Sequence, residues 1–302
     1  MEMKRNLGFT VIELIVAVTI VILLVAVAVA SFQDHMTHKS RAQARKAMIE
    51  VAEWLQLQYP KSRTYLVKLP VTHPGVEQKA TWLQVRQQRP DYVFLWGWGV
   101  MNSAAIREAI NVSYPRLQMY GVWWSAAEPD TQPAEMAAKG YNGLAMQHSN
   151  EKNAGVHKDL LKFVHDKGKG TGDKKEIGNV LYNRGMLSAM LVVESVRQAQ
   201  TKYGKKPLTG EQVRWGAENL NIDAARIKAL GVDGIMQPLK TSCMDHEGAR
   251  KARIHTWDGA TWSYTSDWYE GDNKFLRPMV EAQAKKYAAE KKIEQRDCKK
   301  ES

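Results

Sequence analysis

The chain opens on an unbroken apolar stretch. Between residues 14 and 30 no side chain is charged and only Thr19 is polar. With Phe9 to Ile12 ahead of it and apolar character lasting to Phe32, the run exceeds the ~20 residues a helix needs to cross a hydrocarbon core. This pattern predicts a membrane-spanning helix. A secretory signal peptide would end its apolar region with a small-residue cleavage site, whereas Gly8 precedes the run, so a cut there leaves the helix in place. Lys4 and Arg5 lie on the amino side, and the positive-inside tendency keeps them cytoplasmic. The expectation is a single pass through the inner membrane with a periplasmic C-terminal domain. Glu13 is costly in such a helix, at least ~2.5 to 3.5 kcal/mol without a partner, and a positive N-terminus would supply one. Residues 34–57 contain neither Pro nor Gly, and Ala42, Ala44, Ala47, Met48, Val51, Ala52 and Leu55 form a loose apolar stripe. One long helix over 9–60 follows, stopped by Pro60.

After a Pro-punctuated linker at 61–70 the period changes. Residues 77–88 read as a helix, 92–96 as a short buried strand bounded by Gly97, and 119–124 as a second strand. Between them Asn102 or Ser103 can cap a helix that runs through Ile110. Residues 139–146 form a weaker strand and 154–167 a helix. Helix and strand alternating at this spacing indicate crossover units and a parallel sheet. Residues 176–203 make a long helix ended by Gly204, and Thr209 to Gln212 opens another. The stretch 254–269 alternates around Asp258-Gly259, a strong hairpin signal, and 275–292 is a lysine-rich surface helix.

Composition narrows the function. The net charge is +11, but the basic residues are spread over the juxtamembrane helix, residues 167–175 and the C-terminal tail, without the basic-aromatic motif of a nucleic-acid fold, so no nucleic-acid partner is expected. The 44% apolar content supports a real core. Cys243 and Cys298 permit one disulfide in an oxidising compartment; if formed, it closes a loop worth roughly 4 kcal/mol in the chain-entropy model. Asp245-His246-Glu247 are adjacent residues that point in different directions, so a solvated loop is expected rather than a metal site. The glycine-rich stretch 168–172 follows no strand and lacks the Gly-Lys-Ser/Thr triplet, which makes it a connector rather than a phosphate loop. No nucleophile motif occurs. Neither a cofactor nor an enzyme activity is expected.

Two resemblances carry the reading further. Lys4-Arg5-Asn6-Leu7-Gly8-Phe9-Thr10-Val11-Ile12-Glu13-Leu14 resembles the leader and helix start of type IV prepilins and secretion pseudopilins. That resemblance implies cleavage after Gly8 by a prepilin peptidase, methylation of the new Phe9 amine, and a Glu13 that pairs with a neighbouring pilin or pseudopilin subunit's N-terminus.

Further along, Val71-Thr72-His73-Pro74-Gly75, Pro90-Asp91-Tyr92-Val93, Trp96-Gly97-Trp98-Gly99, Tyr120-Gly121-Val122-Trp123-Trp124 and Thr209-Gly210-Glu211-Gln212-Val213-Arg214 resemble the substrate-binding proteins of branched-chain amino acid ABC transporters. The implied fold class is α/β: a long N-terminal transmembrane helix followed by partial Rossmann-like lobes of a type I periplasmic binding protein over 71–302. Residues 71–150 are the expected lobe two segment, 170–242 the lobe one segment, and 243–302 a hinge-proximal hairpin and tail. About half of such a fold normally precedes the position of Val71, and a pilin-like spine stands in its place, so the sheets are expected to carry exposed edges.

In doubly wound sheets ligands lie beyond the carboxyl ends of the strands. Trp98, Asn102, Trp124 and Glu128 are therefore the expected ligand-binding residues, two aromatic faces and two directional polar groups in one cleft. The expected function is a membrane-tethered solute-binding protein for an amino acid or related small molecule, working with ABC permease subunits. The alternatives are a structural subunit of a type IV pilus or type II secretion pseudopilus, and a chimeric reading frame without intact binding activity.

Overall fold

The computed structural model describes residues 67–146, 153–294 and 296–298. The chain divides into two units, Met1–Leu69 and Pro70–Ser302, and every helix and strand described lies in the second. Gly8, Phe9 and Glu13, the expected helix over 9–60 and most of the linker fall outside the described residues. Among the described residues no helix is long and apolar enough to cross a membrane.

The first helix, α1 (Lys79–Gln88), turns Trp82 and Val85 inward. Buried Gln78 ties it to the next helix: its side-chain amide Nε2 donates to the Gly75 and Met101 carbonyls at 2.7 and 2.8 Å. Arg89 then adopts the left-handed conformation and Pro90 ends the helical path. Three short strands follow, β1 (Val93–Leu95), β2 (Met119–Gly121) and β3 (Asn142–Ala145), paired in parallel in that order. Helix α2 (Val100–Asn111) crosses from β1 to β2 and buries Ile106 and Ala109. The β2–β3 crossover contains α3 (Glu128–Thr131) and short 3₁₀ turns on either side.

The parallel expectation holds for these three strands only. Strand β6 (Lys251–Trp257) pairs antiparallel with β3, from Asn142 opposite Thr256 to Ala145 opposite Arg253. Strands β7 (Trp262–Tyr264) and β8 (Tyr269–Glu270) then add antiparallel to β6, so the sheet is mixed, with order β1-β2-β3-β6-β7 and β8 also on β6. The β6–β7 turn follows the Asp-Gly signal: Asp258 Oδ1 accepts from the amides of Ala260 and Thr261, both at 2.8 Å. Tyr141, Trp257 and Trp262 are buried in the interior beside this sheet.

Residues 153–242 form α4 (Gly155–Leu160), α5 (Val180–Tyr203), α6 (Gly210–Ala217) and α7 (Ala224–Ala229), with a two-stranded antiparallel ribbon of β4 (Asn221–Ile222) and β5 (Leu239–Lys240). Thr209 and Gln212 form a reciprocal capping box at the start of α6. Leu187, Ile222, Ile227, Val232 and Ile235 make a separate apolar cluster here. The last helix is α8 (Asn273–Lys291), none of whose residues is buried. Cys243 and Cys298 are joined by a disulfide, and Arg296 forms a two-pronged ion pair with Glu218 at 2.6 and 3.0 Å.

Two local expectations change. The strand at 92–96 is not buried: Phe94 is 67% exposed and Tyr92 and Trp96 are exposed with it. The reason is its place at the end of the sheet, where among the described residues only β2 pairs with it. The second change concerns Asn102, which does not cap α2. Gly99, with φ of 55°, makes the entry turn, the helix starts at Val100, and Asn102 lies inside its first turn with its side chain buried.

Candidate functional site

The carboxyl ends of β1 and β2 run into Trp96-Gly97-Trp98-Gly99 and Val122-Trp123-Trp124-Ser125, and one serine clasps the two loops. Buried Ser125 accepts from the Gly97 amide at 3.1 Å and donates its hydroxyl to the Gly97 carbonyl at 2.7 Å. The Tyr141 hydroxyl donates to the Ser125 carbonyl at 2.8 Å from β3's side. Gly121 permits this closeness, since a Cβ there would overlap the Tyr141 hydroxyl and the Ser125 carbonyl. With both loops fixed, Trp98 and Trp124 are held beside the clasp at 62% and 57% exposure. Trp123 meets Trp124 edge to face, with ring centroids 4.7 Å apart.

The other two expected site residues lie beneath this surface. Asn102 is fully buried, donating Nδ2 to the Trp124 carbonyl at 3.2 Å and to Asp130 Oδ1 at 2.7 Å. It thus ties α2 to the β2 loop. Glu128 is also buried, and both of its oxygens accept from the Val180 amide, at 3.1 and 3.0 Å. That amide begins α5, whose own N-cap residue Asn179 makes no side-chain capping bond. A carboxylate 52 residues upstream therefore caps the long helix. The structure brings Trp98, Asn102 and Trp124 to one clasp and puts Glu128 at the start of α5.

Three residues of this region carry no obvious local signal. Arg184 is buried one turn into α5, its guanidinium 4.1 Å from the Trp123 ring centroid, with Nη2 donating to the Ala126 carbonyl at 3.2 Å. Burial pulls its pKa down to about 10 against the opposing charges of Asp130 and Glu128. Asp130 Oδ2 accepts from the Ala127 amide at 2.9 Å, and burial raises its pKa to about 6, with the Asn102 bond, the Ala127 amide and Arg184 opposing the rise and Glu128 adding to it. Ser125 completes the set. For Arg184 the sequence offers one indirect hint, a charge within a largely apolar helix, since a charge on a buried face needs partners.

In the region 245–247 His246 and Glu247 are exposed and Asp245 is half-buried. Asp245 and Glu247 engage Arg250 and Arg277, with Arg250 Nε 2.8 Å from Glu247, and His246 lies 3.4 Å from Glu218. Among the described residues no group of three or more His, Cys, Asp or Glu is arranged to hold a metal.

The family model described as periplasmic binding protein matches residues 52–261, beginning inside the stretch read as the end of the spine. A solved structure titled as an ABC transporter permease from the Pseudomonas fluorescens group is 43% identical; the match covers 81% of this chain and 59% of that one, with a TM-score of 0.74. A branched chain amino acid ABC transporter from Thermus thermophilus with bound valine is 17% identical, covering 68% of this chain and 52% of that one, with a TM-score of 0.53. An ABC transporter substrate binding protein from Aeropyrum pernix is 15% identical, covering 67% and 52%, with a TM-score of 0.52. The chain thus spans between about half and three-fifths of the length of these structures. No curated protein matches it.

Proposed function

Since the chain belongs to the periplasmic binding protein family, we propose that it is the solute-binding component of an ABC-type importer, taking an amino acid or a related small molecule. The observation that carries this reading is the Ser125 clasp, which holds Trp98 and Trp124 exposed at two adjacent strand ends where α/β sheets receive ligands. In this reading Trp98 and Trp124 contact the solute, while Asn102 and Glu128 hold the loops and α5 in position. The valine bound by the Thermus thermophilus protein of the same fold supports a small amino acid as the class to test first. Members of this family bind solutes rather than transform them, and the chain is read the same way. ABC permease subunits are the partners that receive the solute.

Delivery and anchoring rest on the N-terminal sequence. Residues 4–14 support cleavage after Gly8 by a prepilin peptidase and retention of the apolar helix in the inner membrane, with the binding unit in the periplasm. The same residues favour a second reading, a pilus or pseudopilus subunit, in which Glu13→Ala abolishes incorporation into filaments.

Calorimetric titration of the full chain with branched-chain amino acids, their amides and short carboxylates tests the binding reading. A saturable heat for one class is expected, and silence across the panel overturns it.

A further inference from the structure

Strand β1 and its continuation carry their exposed side chains in strict alternation. Tyr92, Phe94, Trp96 and Trp98 are each more than half exposed, while Val93, Leu95 and Gly97 between them are half-buried. Tyr92 and Phe94 share one face of the sheet with Tyr120, whose ring centroid lies 6.0 Å from each of theirs.

The backbone follows the same alternation. In a strand the N–H and C=O of one residue point to one side and those of the next residue to the other. Leu95 turns toward β2, since its carbonyl accepts from the Val122 amide at 3.1 Å. Gly97 does likewise through both of its bonds to Ser125. Phe94, with Tyr92 and Trp96 on the same alternation, therefore turns its backbone groups away from β2, toward an edge on which no described strand pairs. Proteins guard such edges with lysine, proline or inward-pointing charge. Here neither a charged residue nor a proline occurs from Tyr92 to Ile106.

We propose that β1 is a self-association edge, pairing antiparallel with β1 of a second copy across a two-fold axis so that the two sheets become continuous. Self-complementarity identifies the partner. A two-fold axis perpendicular to the sheet keeps the same face upward in both copies, and hydrogen-bonded pairs form only between residues whose backbones face the shared edge. In each copy those residues are Tyr92, Phe94 and Trp96. Whether Phe94 stands opposite Phe94 or opposite Trp96, ring meets ring across the junction. Charge agrees with this, because two chains of net charge +11 repel one another, and the uncharged stretch lets their backbones meet without like charges in opposition. The pairing does not depend on the solute reading.

Other occupants fit less well. A surface that lies on an anionic membrane carries lysines and arginines beside its apolar residues, and residues 92–106 have none. A foreign extended peptide would gain the backbone bonds, but only a second copy brings a matching row of rings.

Sedimentation equilibrium of the full chain in detergent micelles tests the pairing. A concentration-dependent dimer is expected. Phe94→Lys and Phe94→Glu each set like charges near one another across the axis and should weaken the dimer ~10-fold or more, whereas Phe94→Tyr should leave it intact. An equimolar mixture of Phe94→Lys and Phe94→Glu should recover the dimer as a mixed pair. Phe94 is exposed, so circular dichroism and urea midpoints of the variants should match the wild type. A monomer at every concentration overturns the proposal. So does a dimer that both charged substitutions leave unchanged, a mixture that stays monomeric, or binding to phosphatidylglycerol vesicles that Phe94→Glu abolishes while the dimer persists.

Discussion

Removing the Glu128 carboxylate separates a ligand contact from a helix cap. In Glu128→Ala the Val180 amide loses both of its acceptors in a buried position, which costs about 1–3 kcal/mol. Loss of a negative charge at the N-terminus of a 24-residue helix adds about 0.3–1 kcal/mol. Two effects oppose these. The variant no longer desolvates a carboxylate, and Asp130 is freed from a repulsion that raises its pKa. The net expectation is a destabilisation of about 2–3 kcal/mol, which for a unit of this size is a fall in Tm of about 5–10 °C. Glu128→Gln keeps one carbonyl oxygen facing the amide and should lose about half as much. Urea denaturation of the full chain, followed by tryptophan fluorescence at constant m-value, measures both. If Glu128→Ala leaves the midpoint in place while solute binding disappears, the carboxylate is a ligand contact and the capping argument is wrong.

Three further outcomes are expected. Burial lifts Asp130 from 3.8 to about 6, so its contribution to stability is greatest below about pH 4 and is lost as the pH rises through 6, by about 3 kcal/mol at ~1.4 kcal/mol per pKa unit; Asp130→Asn should remove this slope, and urea midpoints for the two proteins that stay parallel from pH 4 to 7 would refute it. Cys298→Ser opens a loop with a sequence separation of 55 and should cost up to about 4 kcal/mol, read as a lower denaturation midpoint that reductant also produces in the wild type but not in the variant. Trp98→Ala and Trp124→Ala, at exposed positions, should change stability by less than about 0.5 kcal/mol yet weaken solute binding 10-fold or more by calorimetry; unchanged affinity in both removes the clasp as the site.

Much of the parallel half of the sheet is legible in the sequence because its signals are local. Tyr92 to Trp96 and Met119 to Trp124 are apolar runs ended by glycine or a polar turn, and the helices between them show the change of period. The start of α6 is equally plain, since the Thr209 and Gln212 side chains satisfy each other's amides. What was not legible depends on residues far away in the chain. An apolar run does not say whether a strand has one neighbour or two, so nothing local announces the exposure of Phe94. The antiparallel addition of β6 joins Asn142 to Thr256, whose hydroxyl donates to Asn142 Oδ1 at 2.7 Å across 114 residues, and no local pattern announces it. A polar residue near a helix start reads as a cap, but the positive φ of Gly99 sets the start of α2 at Val100 and leaves Asn102 inside the first turn.

The buried polar group under the tryptophans joins binding to the architecture of α5. Trp124 and Glu128 both lie in the β2–β3 crossover, and Asn102 holds the carbonyl of the first while contacting Asp130. Arg184 reaches back from α5 to the Ala126 carbonyl and covers Trp123. A solute that shifts Trp124 is therefore expected to alter the surroundings of Arg184 and of the Val180 amide at the start of α5. Linkage requires any such effect to be reciprocal: whatever factor the Arg184 contacts impose on solute affinity, the solute must impose on the stability of those contacts. Calorimetric affinities for the wild type and for Arg184→Lys fix the sign and size of that coupling. An unchanged affinity would mean that the buried cluster holds α5 in place without transmitting anything to the tryptophans.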